Sequence, residues 1–262
     1  MSEPTLFNNK PMPKSEAVAM TVNMLIAELL NRSKRDDGYR DYFDIAVLGY
    51  RGGEVVSMWR DPKKIFMRPS ELAGSELEQV RLHRQRMLPS GRSAVSIVSQ
   101  KIWVRPAAGD KTPMLLALRK CCELCGKWCA QRDHRNSYPP TIFHITDGES
   151  SDGDDRQLLE AAQEIKKLGT NDGEALLINI HISSDTACKP VLFPESEDEL
   201  PDGRYARLLY GMSSEMPRIY DENIIMLRGG GDGPFRGISY NAGMTDLIGM
   251  MNIGSVSVNL LF

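Results

Sequence analysis

The chain has no run of about 18 consecutive apolar residues, so no segment reads as a membrane-spanning helix. Its opening stretch, MSEPTLFNNKPMPK, lacks the charged-then-apolar order of a secretory signal, and the cytoplasm is the expected compartment. Positive charge is not in excess either: 32 Lys and Arg stand against 35 Asp and Glu. The resulting net charge of -3 gives no electrostatic footprint for non-specific binding to nucleic acid. The partners expected therefore include neither nucleic acid nor membrane. Cysteine is scarce and unevenly placed, with five in all and four of them between Cys121 and Cys129. Such crowding does not resemble the spread framework of a disulfide-stapled secreted domain, and the thiols are read as reduced. Histidine numbers only four, none of them paired with an identifiable nucleophile.

What is present is an ordinary globular composition, 41% hydrophobic and 26% charged over 262 residues, and a single domain is expected. Lys14 to Arg32 carries Val18, Val22, Leu25 and Leu29 at helical spacing behind Pro11 and Pro13, which predicts a helix. FDIAVLGY, Phe43 to Tyr50, is apolar on both faces and reads as a parallel strand covered by helices, with EVVSMW as an adjacent edge strand. Arg60 to Arg92 is the least regular part. It holds eight Lys and Arg against four Asp and Glu, and reads as a basic insertion whose ELEQVRLHRQRM forms a short helix or a partly ordered segment.

Further along, Ala94 to Pro106 predicts a strand and Thr112 to Ala130 a helix entered through GDKTPM. A strand over Thr141 to Thr146, a helix over Asp155 to Leu168 and a strand over Ala175 to Ser183 follow. In the last of these, Leu176, Ile178, Ile180 and Ile182 share one face. The acidic loop Glu195 to Asp202, open to a contact with the basic insertion, precedes a helix at Arg204 to Met212, a strand in RGISYNA and a closing helix at Met244 to Met251. Alternating strands and helices without a repeat argue for an α/β layered sheet. Ligands of such sheets sit at the carboxyl ends of the strands, and Asp147 stands at one of those ends.

Asp147 follows an apolar strand in PPTIFHITDGESSDGD. An Asp-Gly after a strand is a common turn, and Ser150, Ser151, Asp152, Asp154 or Asp155 are candidate caps for the next helix. DGESSDGD lacks the ligand spacing of a calcium-binding EF-hand loop. RGGGDGPF, Arg228 to Phe235, lacks the Gly-x-x-x-x-Gly-Lys spacing of a phosphate loop and reads as a flexible turn. Cys121, Cys125 and Cys129 line one helical face with Cys122 adjacent, and read as structural thiols more readily than as a zinc or iron-sulfur site. His144 and His181 read as packed, hydrogen-bonded histidines.

Set beside GDKTPM, with Thr112 on a loop at a helix entry, the ITDG strand end repeats two of the three loops of a metal-ion-dependent adhesion site. The chain resembles the von Willebrand factor A (VWA) family over nearly its whole length. It is most similar to bacterial cytoplasmic members with patterns like AVAMTVNMLIAELL, YFDIAVLGY, TPM, ITDGESSDGD, LPDGRYARLLYGMSSEMP and NAGMTDLI. The resemblance implies a three-layer, Rossmann-like α/β fold with a mostly parallel central sheet. It implies a protein-interaction module in which a magnesium or manganese ion bridges to an acidic residue of a protein partner. Thr112 matches the second metal loop and Asp147 the third. The first loop, Asp-x-Ser-x-Ser after a first central strand, has no counterpart, since the family pattern continues into Ser-Glu-Pro where this chain starts; Ser2 takes no ligand role. Two expectations follow: Met1 is internal to a longer protein, or SVSVNLLF at the carboxyl end fills the vacancy. Magnesium or manganese would then bind weakly or not at all. Two other functions remain open. One is a magnesium-dependent hydrolase or phosphoryl-transfer enzyme, with Asp147 on the ion and Glu149 or Asp152 orienting water. The other is a metal-free scaffold.

Overall fold

The structure, a computed structural model, describes residues 3–7, 10–51, 53–87, 93–107, 111–182 and 189–255. Among them the architecture is mixed α/β, with seven α-helices, one four-stranded mixed sheet and several two-stranded ladders. Its contacts divide the chain into two compact units, residues 2–49 with 56–108 and residues 50–55 with 109–262.

In the first unit, β1 (Pro4–Phe7) and β2 (Lys10–Pro13) pair antiparallel and lead into α1 (Lys14–Ser33). Proline supplies the N-cap position of α1, as expected. The buried apolar residues of α1 are Ala17, Ala19, Ile26, Leu29 and Leu30, while the expected Val18, Val22 and Leu25 are half-buried. Polar Asn23 shares the buried face because its amide is fully used. Its Nδ2 donates to Ala19 O and Val104 O, both at 2.8 Å, and its Oδ1 accepts the N–H groups of Trp103 at 2.8 Å and Val104 at 3.0 Å. Around it Ile26, Leu30, Trp59, Met67, Leu72, Trp103 and Val104 form the core.

After the short ladder β3 (Lys34–Arg35) and β4 (Gly38–Tyr39), the chain departs from its expected course. The parallel strand expected over Phe43 to Tyr50 is two short strands, β5 (Ile45–Ala46) and β6 (Leu48–Arg51). β6 pairs with β7 (Glu54–Ser57), and β5 lies antiparallel to β8 (Phe66–Met67). Gly53, at φ +88°, permits a tight return, and a local ladder costs less closure entropy than a long crossover. α2 (Pro69–Leu72) follows. The stretch expected as a short helix or partly ordered segment is β9 (Glu78–Met87), a ten-residue strand antiparallel to β10 (Ser93–Ile102). Val80 and Leu82 alternate with Arg81 and His83 at period two, and the VSIV run of β10 is a ready partner. The basic insertion at 60–92 thus carries β8, α2 and β9, and Lys64 pairs with Glu71 inside it.

The second unit contains α3 (Met114–Cys129), β11 (Thr141–Thr146), α4 (Asp155–Lys166), the ladder β12 (Gly169–Thr170) with β13 (Gly173–Glu174), and β14 (Leu176–Ile182). β15 (Val191–Leu192), α5 (Arg204–Met212), α6 (Asp221–Arg228), β16 (Ile238–Ala242) and α7 (Met244–Ser255) complete it. The sheet order is β11-β14-β16-β15, with the first three strands parallel and β15 antiparallel. β14 is buried on both faces apart from His181, as an interior parallel strand requires. Leu177 packs with Met114, Leu118, Leu158, Ala162 and Leu209 in a core shared by α3, α4 and α5. Each leucine or methionine among them contributes about 1.5–3 kcal/mol on burial. The alternate residues Leu176, Ile178, Ile180 and Ile182 are equally buried, and α7 packs along β11, β14 and β16.

One loop expectation is also corrected. RGGGDGPF is held in place: Glu195 Oε1 accepts the N–H groups of Asp232 at 2.6 Å and Gly233 at 2.7 Å, and Phe235 is fully buried. The acidic loop finds its counterions close by, Arg228 on Glu195 and Glu199, and Arg207 on Glu197 and Asp202. The segment SVSVNLLF lies outside the described residues beyond Ser255, as does Cys188. Among the described residues no helix is long and apolar enough to cross a membrane.

Candidate functional site

The parallel strands β11, β14 and β16 present their carboxyl ends together. β11 ends on buried Thr146, whose Oγ1 donates to Gly148 O at 2.8 Å, closing a tight turn around Asp147. From α5, the Tyr205 hydroxyl donates to the same carbonyl at 2.5 Å. Asp147 is therefore the corner of a turn pinned from two sides, and it is half-buried.

The acids and hydroxyls behind Asp147 have separate tasks. Asp154 caps α4 through a reciprocal capping box with Gln157. Asp155 receives a bidentate pair from Arg204 at 2.6 and 2.7 Å. Asp152 does not cap the helix that follows it. Its Oδ1 accepts the N–H of Leu115 at 3.0 Å and its Oδ2 that of Leu116 at 2.9 Å, so it caps the amino terminus of α3. Ser150 Oγ adds a third bond to this carboxylate at 2.9 Å. Close approach here requires glycine, because a Cβ on Gly153 would lie 2.9 Å from Leu115 Cβ.

The same loop grips Thr112. Ser151 Oγ accepts the Thr112 N–H at 3.1 Å, and the Ser151 N–H donates to Thr112 O at 2.9 Å. The two loops picked out in the sequence, one with Thr112 and one with Asp147, are thus joined at one rim of the sheet.

Three aromatic side chains meet at this rim: Tyr205 and Tyr240, which were not anticipated, and His181, packed and hydrogen-bonded as expected. His181 stacks on Tyr240 with centroids 4.3 Å apart and meets Tyr205 edge-on at 5.8 Å. A bulge aligns them: Ile180 faces Ser239 but Ile182 faces Ala242, with Asn241 at φ +57° taking the extra place. The Asn241 N–H points to His181 Nδ1 at 3.4 Å. The NA step at the end of β16 was the only sequence hint, since asparagine tolerates the left-handed region. Beside the rim, a cleft of about 120 Å³ is lined by Glu149, Ser150, Asp155, Arg204, Tyr205 and Leu208.

His144 is buried and hydrogen-bonded on both nitrogens, as expected. Tyr50 Oη donates to Nε2 at 3.1 Å, and Nδ1 donates to Asn179 Oδ1 at 2.8 Å. Asn179 Nδ2 passes the chain to Ser213 Oγ at 2.9 Å, which donates to Leu209 O at 2.7 Å. With these roles every donor in the sequence has one acceptor, an arrangement that a neutral imidazole satisfies. Burial holds its pKa below the ordinary histidine value, against the opposing effect of Asn179. The unfolded chain therefore takes up a proton near pH 6.5 that the folded chain refuses. The stability this group contributes is full above that pH and is lost as pH falls. Urea unfolding between pH 7 and 5.5 is expected to show a falling midpoint, and His144→Gln a shallower fall; equal slopes would assign the dependence elsewhere.

A hard divalent cation takes about six oxygen ligands. Thr112 and Asp147 offer one hydroxyl and one carboxylate, while Asp152, Asp154 and Asp155 are committed to helix ends and Arg204. Among the described residues no group of three or more His, Cys, Asp or Glu is arranged to hold a metal ion. The described residues do not fit an enclosed magnesium or manganese site. Comparisons with protein-family models, curated proteins and solved structures give no match to this chain.

Proposed function

We propose that the chain is a VWA-type protein-interaction module of the cytoplasm, with α3, α4 and α5 on one face of the sheet and α7 on the other in a three-layer arrangement. Its ligand face is the rim at the carboxyl ends of β11, β14 and β16. The observation that carries this reading is the two-way tie between Thr112 and Ser151, which joins the Thr112 loop to the Asp147 loop. A partner docks on Asp147, Glu149 and the aromatic group of Tyr205, His181 and Tyr240. Since Thr112 and Asp147 alone supply too few oxygens, magnesium or manganese is bound weakly or not at all, and docking proceeds without it. Aromatic side chains flanked by charge suit this use, because they give large contact area at low entropic cost.

Parallel affinity capture from a lysate of the source cells, with wild type and Asp147→Arg and with or without EDTA, tests the reading. At least one protein is expected to be retained by wild type in EDTA and lost with the variant, whose fold is checked by circular dichroism. Identical capture by both proteins would remove the rim as the docking face. Loss of capture in EDTA would restore the ion.

A further inference from the structure

Helix α3 carries its four thiols on one side. At about 100° per residue, Cys121, Cys125, Cys129 and Cys122 fall within roughly 100° of arc. All four are free, with Cys125 buried and the other three half-buried. Cys121 and Cys122 lie against the core shared by α3, α4 and α5. The Sγ atoms of Cys121 and Cys125 are 3.9 Å apart.

That separation is informative because the helix dictates what the pair can form. Residues four apart on a helix hold their Cβ atoms about 5–6 Å apart. A disulfide needs about 3.5–4.5 Å, so this pair cannot close one unless α3 unwinds. A single atom placed between the sulfurs meets no such obstacle. Two bonds of about 2.3 Å that meet near a right angle, as at a pyramidal trivalent centre, span roughly 3.3 Å, so the two sulfurs need to close by only about half an ångström, within the reach of small side-chain rotations. Thiolates select soft centres over hard ones, which sets this site apart from the oxygen-rich rim. The hydrogen bond between Cys121 and Cys125 holds the Cys121 thiol below its usual pKa and pushes the Cys125 thiol above it, and burial pushes the Cys122 and Cys129 thiols up as well.

We infer that Cys121 and Cys125 form a dithiol site for a trivalent arsenical. The condensation balances without an oxidant. An organoarsenic(III) oxide, R–As=O, forms two As–S bonds while its oxygen leaves as water with both thiol protons, and arsenic stays trivalent. The inference stands apart from the rim reading, since it uses another face of α3 and other chemistry.

One equivalent of phenylarsine oxide added to the full chain, followed by intact-mass spectrometry, tests it. A single adduct is expected, stable in excess glutathione and removed by 2,3-dimercaptopropanol. Cys121→Ser and Cys125→Ser are expected to lose that stability at least tenfold, and Cys129→Ser to keep it. Alkylation mapping of the wild-type adduct covers the case in which Cys125→Ser fails to fold: Cys121 and Cys125 are expected to be protected and Cys129 modified. An adduct stripped by glutathione, or protection that falls on other cysteines, would overturn the assignment.

Discussion

Replacing Asn23 with leucine is expected to lower the unfolding free energy of the protein by about 3–5 kcal/mol, although the two side chains have the same number and branching of heavy atoms. The reason is the number of backbone groups that depend on one amide. Oδ1 is the acceptor for the N–H groups of Trp103 and Val104, and Nδ2 donates to Val104 O, so the side chain pairs with Val104 as a neighbouring strand would. Asn23 is 1% exposed, and water cannot take its place. Leucine would orphan two N–H groups and one carbonyl at a cost of about 1–3 kcal/mol each, offset in part by its own burial. Urea unfolding followed by tryptophan fluorescence reads this directly, because Trp59 and Trp103 both belong to the affected core. An unchanged m-value with a lower midpoint is expected, and a loss below about 1 kcal/mol would show that the amide is not the keystone of this packing.

The fold was legible wherever one segment satisfied its own period. β11 and α5 have the bounds read from the sequence, Thr141 to Thr146 and Arg204 to Met212, because a buried run between prolines and a turn, or an apolar stripe after Asp-Gly, leaves few alternatives. Phe43 to Tyr50 misled because an apolar run does not say which strand it joins, and here a nearby glycine turn decided for local pairing. Glu78 to Met87 misled for the opposite reason, since its many long polar side chains mask a period of two that matters only once β10 lies beside it. At the rim, the tie between the loop of Thr112 and the loop of Asp147 runs through Ser151 and the Thr112 backbone, and neither that tie nor the roles of the acids between them were legible. Which helix an aspartate caps depends on which helix end lies near it in space, and Asp152 serves one that begins 38 residues earlier, at Met114. Tyr205, His181 and Tyr240 come from three elements, and only the sheet order and the bulge bring them together.

Asp152→Ala is expected to destabilise the protein by about 2 kcal/mol, and Asp154→Ala by about 1 kcal/mol. The first removes a charged acceptor for two N–H groups at the positive end of the α3 dipole and releases Ser150 as well; the second removes one cap bond from α4. Asp152→Asn, which keeps an acceptor oxygen but loses the charge, is expected to fall about halfway, and raised salt is expected to narrow its gap from wild type. Although the two aspartates are neighbours in the chain, they cap different helices and share no hydrogen-bond partner. Their double alanine variant is therefore expected to lose about 3 kcal/mol, additive within roughly 0.5 kcal/mol. A loss well beyond that sum would mean that the loop from Asp147 to Asp155 gives way as one body once either cap is gone, taking with it the tie between Ser151 and Thr112 on which the rim depends.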